Sequence, residues 1–200
     1  CTFSAATLPD DYDAFLGALP REARRRLRRD TTALLRDHGI IHKTTEQPVE
    51  SALAALFRLH QERWSSLGEP GSFESHPRMA EFYRRFGPIA AERGWLRAFT
   101  LEVDGVPRAA QFGYAYGGSY LQLQEGFDPK WTGIGNVARG MAIERLIADG
   151  IRVYDFLGGF TEHKRRWRAE QRDGAFLLFV RDSMRALPLA RTRLWPTGRW

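Results

Sequence analysis

A loop with two glycines precedes an apolar helical pattern, and this arrangement could bind a phosphate group. Residues 130–135 have the sequence KWTGIG, and a helical pattern follows. The first N–H groups of a helix lack partners within the helix and carry the positive end of its dipole. Gly133 and Gly135 have no Cβ that would keep a ligand from the main chain. The loop predicts an anion site, although such a glycine pair is also typical of a plain turn before a helix.

The same glycines match the fingerprint of a dinucleotide-binding domain. Gly133, Gly135 and Ala138 have its spacing, and Asp155 follows Gly135 by 20 residues, where a ribose-binding acid would lie. That fingerprint begins directly at the end of a strand, whereas residues 128–132 intervene here. The strands before it also form a meander and not parallel repeats, so we disfavour dinucleotide binding.

The elements around the loop predict an α/β layered fold with a mixed sheet. Asp104-Gly105 and Gly117-Gly118 are hairpin signals that separate three strands of an antiparallel meander. A helix and a further strand follow, with the length of a central βαβ unit. The predicted strands cover residues 95–103, 107–116, 120–127 and 151–156, and the helix covers residues 133–149.

Flanking helices are predicted on both sides of this segment. Helical patterns lie before Gly39 and again over residues 53–86, with a short strand at residues 40–45 between them. A basic helical turn at residues 163–167 and a last strand at residues 175–181 complete the pattern. We expect a helical arm over residues 1–39, a domain that contains the mixed sheet over residues 40–182 and a basic tail over residues 183–200.

Four short motifs follow one another along this segment: GFDP at 126–129, GIG at 133–135, YDFLGG at 154–159 and HKRRW at 163–167. With the order of elements, they resemble the GNAT acyltransferases, and in particular the CelD type from cellulose biosynthesis, which is related in fold to the Fem aminoacyltransferases. In GNAT proteins the glycine loop receives the pyrophosphate of acyl-CoA, with Gln or Arg where Lys130 stands here. Members often carry two GNAT-like halves, so the chain resembles the C-terminal half of a longer protein.

The resemblance implies acyl transfer from acyl-CoA to an amine, or to a hydroxyl group, which requires a phosphate cradle, a base and donors to the carbonyl oxygen. Asp155 and Glu125 stand near the ends of adjacent parallel strands, and we slightly favour Asp155 as the base. Both acids also have plain structural interpretations. The predicted cradle consists of Lys130, Gly133, Ile134, Gly135 and Asn136.

Further polar residues could bind the substrate. Lys164 is a further catalytic candidate that could hold a phosphate or an acyl carbonyl, and Trp167 could wall the acyl pocket beside His163. Tyr120, Gln122 and Gln124 alternate along a strand and would share one face, with Tyr120 a further catalytic candidate. Together with Gln111 they suit a substrate-binding floor, and equally an exposed sheet.

The charge pattern favours an anionic partner without choosing among several. The net charge is +6, with six arginines between Arg21 and Arg29 and a second basic cluster at residues 164–172. Acyl-CoA is the favoured donor, and the acceptor is an unknown amine or glycan of cell-envelope or polysaccharide metabolism. The alternatives are Fem-like transfer from aminoacyl-tRNA, an RNA-binding module without enzymatic activity, and a degenerate GNAT scaffold.

Several features are not predicted. The five histidines show no metal-ligand spacing with acids, so we expect no metal site. The single cysteine, Cys1, excludes a disulfide within the chain. No apolar run reaches the roughly 20 residues of a membrane span and no signal peptide is recognisable, so we expect a cytoplasmic protein.

Overall fold

The computed structural model describes residues 1–44 and 46–175. Seven strands and seven helices lie within these ranges. The strands are β1 (Thr2–Thr7), β2 (Ile40–Lys43), β3 (Leu96–Val103), β4 (Val106–Tyr116), β5 (Ser119–Phe127), β6 (Val153–Gly158) and β7 (Glu170–Asp173). The helices are α1 (Tyr12–Ala18), α2 (Arg21–Asp37), α3 (Val49–Ser65), α4 (Ser72–Ser75), α5 (Pro77–Glu92), α6 (Ile134–Ala148) and α7 (Glu162–Arg166).

The strands form one mixed sheet in the order β2-β3-β4-β5-β6-β1-β7. Neighbouring strands are antiparallel except β5 and β6, which are parallel and joined through α6. The predicted meander and the βαβ unit are therefore confirmed, as is the α/β fold class with flanking helices. No helix in the described ranges is long and apolar enough to cross a bilayer.

The first seven residues were predicted to belong to a helical arm, but residues Thr2–Thr7 form the strand β1. β1 pairs with β6 on one side and with β7 on the other, so it lies inside the sheet. Its buried residues are Ser4, Ala5 and Ala6, which are too small to produce a recognisable apolar alternation. β7 was also missed because all four of its residues are polar and exposed. The strand predicted at 175–181 and the tail at 183–200 lie outside the described residues, apart from residue 175.

Two apolar cores cover the two faces of the sheet. Helices α1, α2 and α6 pack on one face, around Phe99, Tyr120 and Tyr154. Helices α3 and α5 pack on the other face, against Leu96, Ala98 and Phe112. Side chains of a strand point alternately to these two faces, so the sheet separates the α6 side from the α3 side.

The predicted alternation of the polar residues in β5 is wrong, because this strand contains a bulge. Gln122 pairs with Gly113 and Gln124 with Phe112, so Leu123 is the extra residue. Gln122 consequently lies on the α6 side, where it bonds to Tyr154, while Gln124 contacts Met79 of the α3 side at 3.7 Å. Tyr120, Gln122 and Gln124 do not share one face.

The parallel pair separates after a short contact. β5 and β6 pair only at Ser119–Val153, Tyr120–Tyr154 and Leu121–Asp155, although both strands continue beyond these residues. The sheet therefore opens between the second half of β5 and the end of β6. Side chains from both faces can enter this opening.

His60 of α3 provides a test of the core on the α3 side. It is 1% exposed, its Nδ1 has no hydrogen-bond partner among the residues that the structure describes, and burial lowers its pKa to about 4. The unfolded chain, with an ordinary histidine pKa near 6.5, binds a proton that the folded chain excludes. The free energy of unfolding should therefore fall as the pH is lowered from 6.5 to 4, with His60 contributing up to about 3 kcal/mol.

Replacing His60 by Gln should reduce this loss, measured by urea unfolding at several pH values. His76→Gln is the control, since His76 is exposed at the start of α5. An unchanged pH dependence in His60→Gln would show that the site accommodates the protonated ring.

Candidate active site

Helix α6 begins beside the opening, and the glycine loop sets its first turn. Gly133 has a φ of 85°, a left-handed conformation that favours glycine. Its carbonyl oxygen accepts hydrogen bonds from the N–H groups of Asn136 and Val137, at 2.9 and 3.1 Å. The N–H of Ile134 donates to Trp131 O, so part of the predicted donor set is already used. Ile134 itself is fully buried in the core.

Gly135 permits a close contact within the protein. A Cβ at this position would lie 2.7 Å from a ring carbon of Phe127, the last residue of β5. The absence of a side chain thus lets α6 approach β5 at the opening. A substitution of Gly135 would disturb packing as well as any bound ligand, which makes it a poor probe of ligand binding.

A carboxylate of the protein already faces the glycine loop. A Cβ at Gly133 would lie 2.6 Å from Oδ2 of Asp30, an α2 residue whose side chain is 13% exposed. An acid near a helix N-terminus is stabilised by the helix dipole. Arg26 and Arg29 pair with the same carboxylate at 3.6 and 2.9 Å. An anion that binds this loop must therefore displace Asp30, which would release both arginines.

A buried ion network occupies the opening between β5 and β6. Arg139 of α6, whose side chain is 4% exposed, pairs with Oε2 of Glu125 on β5. Arg63 of α3 donates to Oε1 of Glu125 at 3.3 Å, and Gln122 donates to Oε2 at 3.0 Å. Because α3 and α6 cover different faces of the sheet, the two guanidinium groups reach one carboxylate from opposite sides.

The network fixes the charge of Glu125. Burial would raise the pKa of this carboxyl group, but the guanidinium groups of Arg139 and Arg63 outweigh burial, so the pKa lies below its usual value. Both oxygens already accept hydrogen bonds. Glu125 is therefore an anion at neutral pH and holds a proton weakly.

His163 of α7 extends the network toward solvent. Its Nε2 lies 2.6 Å from Nη1 of Arg139, and since arginine only donates, Nε2 must be the unprotonated nitrogen. Burial, followed by the charge of Arg139, lowers the pKa of His163 to about 4. The ring is neutral at pH 7, and its Nδ1 carries the hydrogen.

These groups surround a cavity of about 270 Å³. Among the residues that the structure describes, Glu125 is the one acid in the lining, beside three arginines, so the lining carries net positive charge. The lining residues are Arg26, Arg63, Glu125, Phe127, Gly133, Gly135, Asn136, Arg139 and His163.

The structure brings three of the five predicted cradle residues together with two of the other predicted site residues, whereas Ile134 is buried in the core and Lys130 is outside the lining. Gly133, Gly135, Asn136, Glu125 and His163 line the cavity. Tyr120 is fully buried behind it and accepts a hydrogen bond from Gln111 at 3.1 Å, and burial raises its pKa well above the usual value.

Three other predicted residues, Asp155, Lys164 and Lys130, are not among the residues that line this cavity. Asp155 accepts a hydrogen bond from Leu157 N at 2.7 Å, within its own turn. Lys164 Nζ donates to the carbonyl oxygens of Phe156, Gly158 and Gly159, and burial lowers its pKa. The side chain of Lys130 is exposed.

Trp167 lines a second, smaller cavity next to the first. This cavity has a volume of about 50 Å³ and shares Arg26, Asn136 and His163 with the larger one. Its apolar wall consists of Leu19, Leu27 and Trp167.

Sequence patterns missed Arg26, Asp30, Arg63 and Arg139. The first two are hidden among the many charged residues of α2, and Arg63 lies in an ordinary last helical turn. Arg139 did carry a signal in the sequence, because the residues around it in the helical pattern, 137–143, are otherwise apolar or glycine, and in the structure it is 3% exposed. A charge in such a helix needs a buried partner.

Comparison with known families identifies the fold. A family model described as an acetyltransferase (GNAT) domain matches residues 21–165. The chain belongs to this GNAT family. It is a transferase family, and the opening between β5 and β6 is the candidate active site of this member. A comparison with curated proteins found no match.

Solved structures share this GNAT fold at low identity. FemX has a TM-score of 0.65 and 11% identity, over 85% of this chain and 59% of FemX. A conserved protein of unknown function from Bacteroides thetaiotaomicron has a TM-score of 0.58 and 14% identity, over 85% and 58%. L-PGS from Bacillus licheniformis has a TM-score of 0.54 and 13% identity, over 85% and 57%. The chain thus spans less than two thirds of these proteins.

Asp30→Asn tests whether the glycine loop is an anion site. Removing this charge should make inorganic pyrophosphate bind about two- to five-fold more tightly, because the competing internal anion is gone. The free protein should become slightly less stable for the same reason. Titration calorimetry measures the first effect and thermal melting the second.

Asp37→Asn is the matched control, since Asp37 lies on the same helix and pairs with the exposed Arg36. Equal pyrophosphate affinity in wild type and Asp30→Asn would show that the anion does not bind where Asp30 lies.

Proposed function

We propose that the protein transfers an acyl group from acyl-CoA to an amine acceptor. The observation that carries this proposal is the opening between β5 and β6, where the start of α6 and a positively charged cavity meet. The amine nitrogen attacks the thioester carbonyl, so a C–N bond forms and the C–S bond breaks. The thiol of CoA leaves with a proton, and the attacking amine loses one.

The donor's phosphates are best accommodated at the start of α6. The N-terminal turn and Arg26 supply positive charge there, in agreement with a pyrophosphate ligand. Asp30 must move away, and the arginines that it releases would compensate the added negative charge. Lys130 is exposed close by in sequence and would contact the outer phosphates. The acyl group would enter the small cavity beside Trp167.

Asp155 is the better of the two candidate bases. Only one of its oxygens accepts a hydrogen bond from the protein within the described ranges, whereas both oxygens of Glu125 do. Glu125 also has a lowered pKa. We therefore assign proton removal to Asp155, and to Glu125 the positioning of Arg139 and Arg63.

The neutral His163 is the candidate donor to the carbonyl oxygen. With Nε2 held by Arg139, the Nδ1–H is the group left to stabilise negative charge that develops during attack. The bonds from Lys164 to three carbonyl oxygens favour bracing of the β6–α7 turn over substrate contact. The likeness of residues 154–167 to the CelD type supports an acceptor from polysaccharide or cell-envelope metabolism.

A second candidate is Fem-like transfer from aminoacyl-tRNA. Two observations favour it: Asp30 closes the glycine loop, and the arginines of α2 and α7 lie side by side. Arg26 and Arg166 line the small cavity together. Such a surface suits a polyanion. Binding of acyl-CoA separates the two candidates.

Asn136→Asp tests the donor site with little change in shape. An acid in the first turn of α6 stabilises the free helix but repels phosphate. Acetyl-CoA and longer acyl-CoA esters should raise the melting temperature of the wild type. This shift should disappear in Asn136→Asp, with affinity at least about ten-fold lower.

Ser51→Asp is the control, because it places the same charge in the first turn of α3, away from the opening. A wild-type melting temperature that no acyl-CoA ester changes would overturn the proposed donor. A steep salt dependence of RNA binding would then favour the second candidate.

Asp155→Asn tests the base. Asparagine keeps an oxygen for the Leu157 N–H but cannot take a proton, so kcat should fall about 10²- to 10⁴-fold while the KM for acyl-CoA stays unchanged. Asp155→Ala also removes the hydrogen bond from the Leu157 N–H. Comparing it with Asp155→Asn separates the loss of the base from the loss of this hydrogen bond. Full activity in Asp155→Asn together with loss in Glu125→Gln would assign the base to Glu125.

A further inference from the structure

Arg63 has a positive charge and several N–H donors without a partner among the described residues. Within the described residues it donates one hydrogen bond, to Glu125, out of five N–H groups. Its guanidinium lies 4.4 Å from the ring centre of Phe127 and 5.6 Å from that of Trp64, which hold it in place. Its side chain is 28% exposed, so the remaining donors are accessible at the cavity.

The charges around Glu125 do not cancel. One carboxylate faces both Arg63 and Arg139, and the neutral His163 adds no charge. Arg26 adds a third guanidinium, which contacts Asp30 only at 3.6 Å. In addition, the buried Nε of Arg139 lacks a hydrogen-bond partner among the described residues. A buried donor without a partner and an excess of positive charge are typical of a site that binds a ligand oxygen.

Arg63 reaches the cavity from the α3 side of the sheet. In the proposed function the donor's phosphates bind at the start of α6, on the other side. The acceptor amine must approach the acyl carbonyl from a direction that the donor leaves free, and the opening between β5 and β6 provides the α3 side for this. Arg63 therefore lies where the acceptor enters.

We propose that the acceptor is an anionic amine, whose carboxylate or phosphate group is bound by Arg63 in the cavity between β5 and β6. This inference rests on the proposed function. A cavity of about 270 Å³ accommodates a small headgroup of this kind, and it is too small for a whole coenzyme. Glu125 keeps Arg63 oriented through its hydrogen bond.

The test uses pairs of amines that differ in the acid group: phosphoethanolamine against ethanolamine, and glycine against glycinamide. With acetyl-CoA as donor, the anionic member of a pair should have at least about a ten-fold lower KM in the wild type. Arg63→Gln should remove this preference while the KM for acetyl-CoA stays unchanged. Arg63→Lys, which keeps the charge but not the two-pronged geometry, should be intermediate.

Arg84→Gln is the matched control, because Arg84 also stacks on an aromatic ring of α3, Phe57, but lies outside the cavity. Melting curves confirm that each variant is folded. Equal KM values for both members of each pair in the wild type would overturn the proposal. An increase in the KM for acetyl-CoA in Arg63→Gln would also overturn it, since Arg63 would then hold the donor.

Direct titration separates this inference from the proposed function. Binding of phosphoethanolamine to the wild type and not to Arg63→Gln supports the anion site even where no acyl transfer is observed, and the proposed function alone then fails. Equal binding of ethanolamine and phosphoethanolamine overturns the anion site, whether or not acetyl-CoA raises the melting temperature.

Discussion

The pairing of Arg139 with Glu125 is the interaction on which the rest of the site depends. A guanidinium buried in an apolar helix is costly unless its charge is compensated, and removal of one partner of such a pair typically costs about 3–5 kcal/mol. Glu125 compensates it, and the rings of Trp167 and Phe156 lie 5.4 and 5.9 Å from the guanidinium. The pair connects β5 to α6 at the level where β5 has left β6.

This pair determines what its neighbours can do chemically. It keeps Glu125 anionic, so this carboxylate binds the two guanidinium groups and is a weak base. It occupies Nε2 of His163, which leaves an Nδ1–H donor on a neutral ring. It also shares its carboxylate with Arg63, so a residue from the α3 side is bound into a site formed mainly on the α6 side. The charge of Glu125, the tautomer of His163 and the position of Arg63 thus all depend on one buried contact.

The sequence predicted the frame of the fold because local signals agreed with the final contacts. Asp104-Gly105, Gly117-Gly118 and the apolar stripe of α6 marked the meander and the βαβ unit. β1 was missed because small residues give no periodic signal, and the β5 bulge was missed because a bulge depends on the partner strand. Gly133 and Gly135 were recognised as an opening for a ligand, whereas each also accommodates a side chain of the protein, Asp30 and Phe127.

The site was less predictable than the fold because its contacts are distant in sequence. Arg63, Glu125 and Arg139 come from three elements, and no spacing rule connects them. A charged residue in an apolar helix was the one local clue. The two basic clusters of the sequence, at α2 and α7, favoured an anionic partner, yet only the packing of these helices shows that they border the same cavity.

Backbone hydrogen exchange with and without acetyl-CoA tests the central claim most directly. Acetyl-CoA binding at the opening should slow exchange at the first turn of α6, around Gly135, and in the second half of β5. Slowed exchange confined to other elements, such as β2 and the start of α3, with these amides unchanged, would contradict the account.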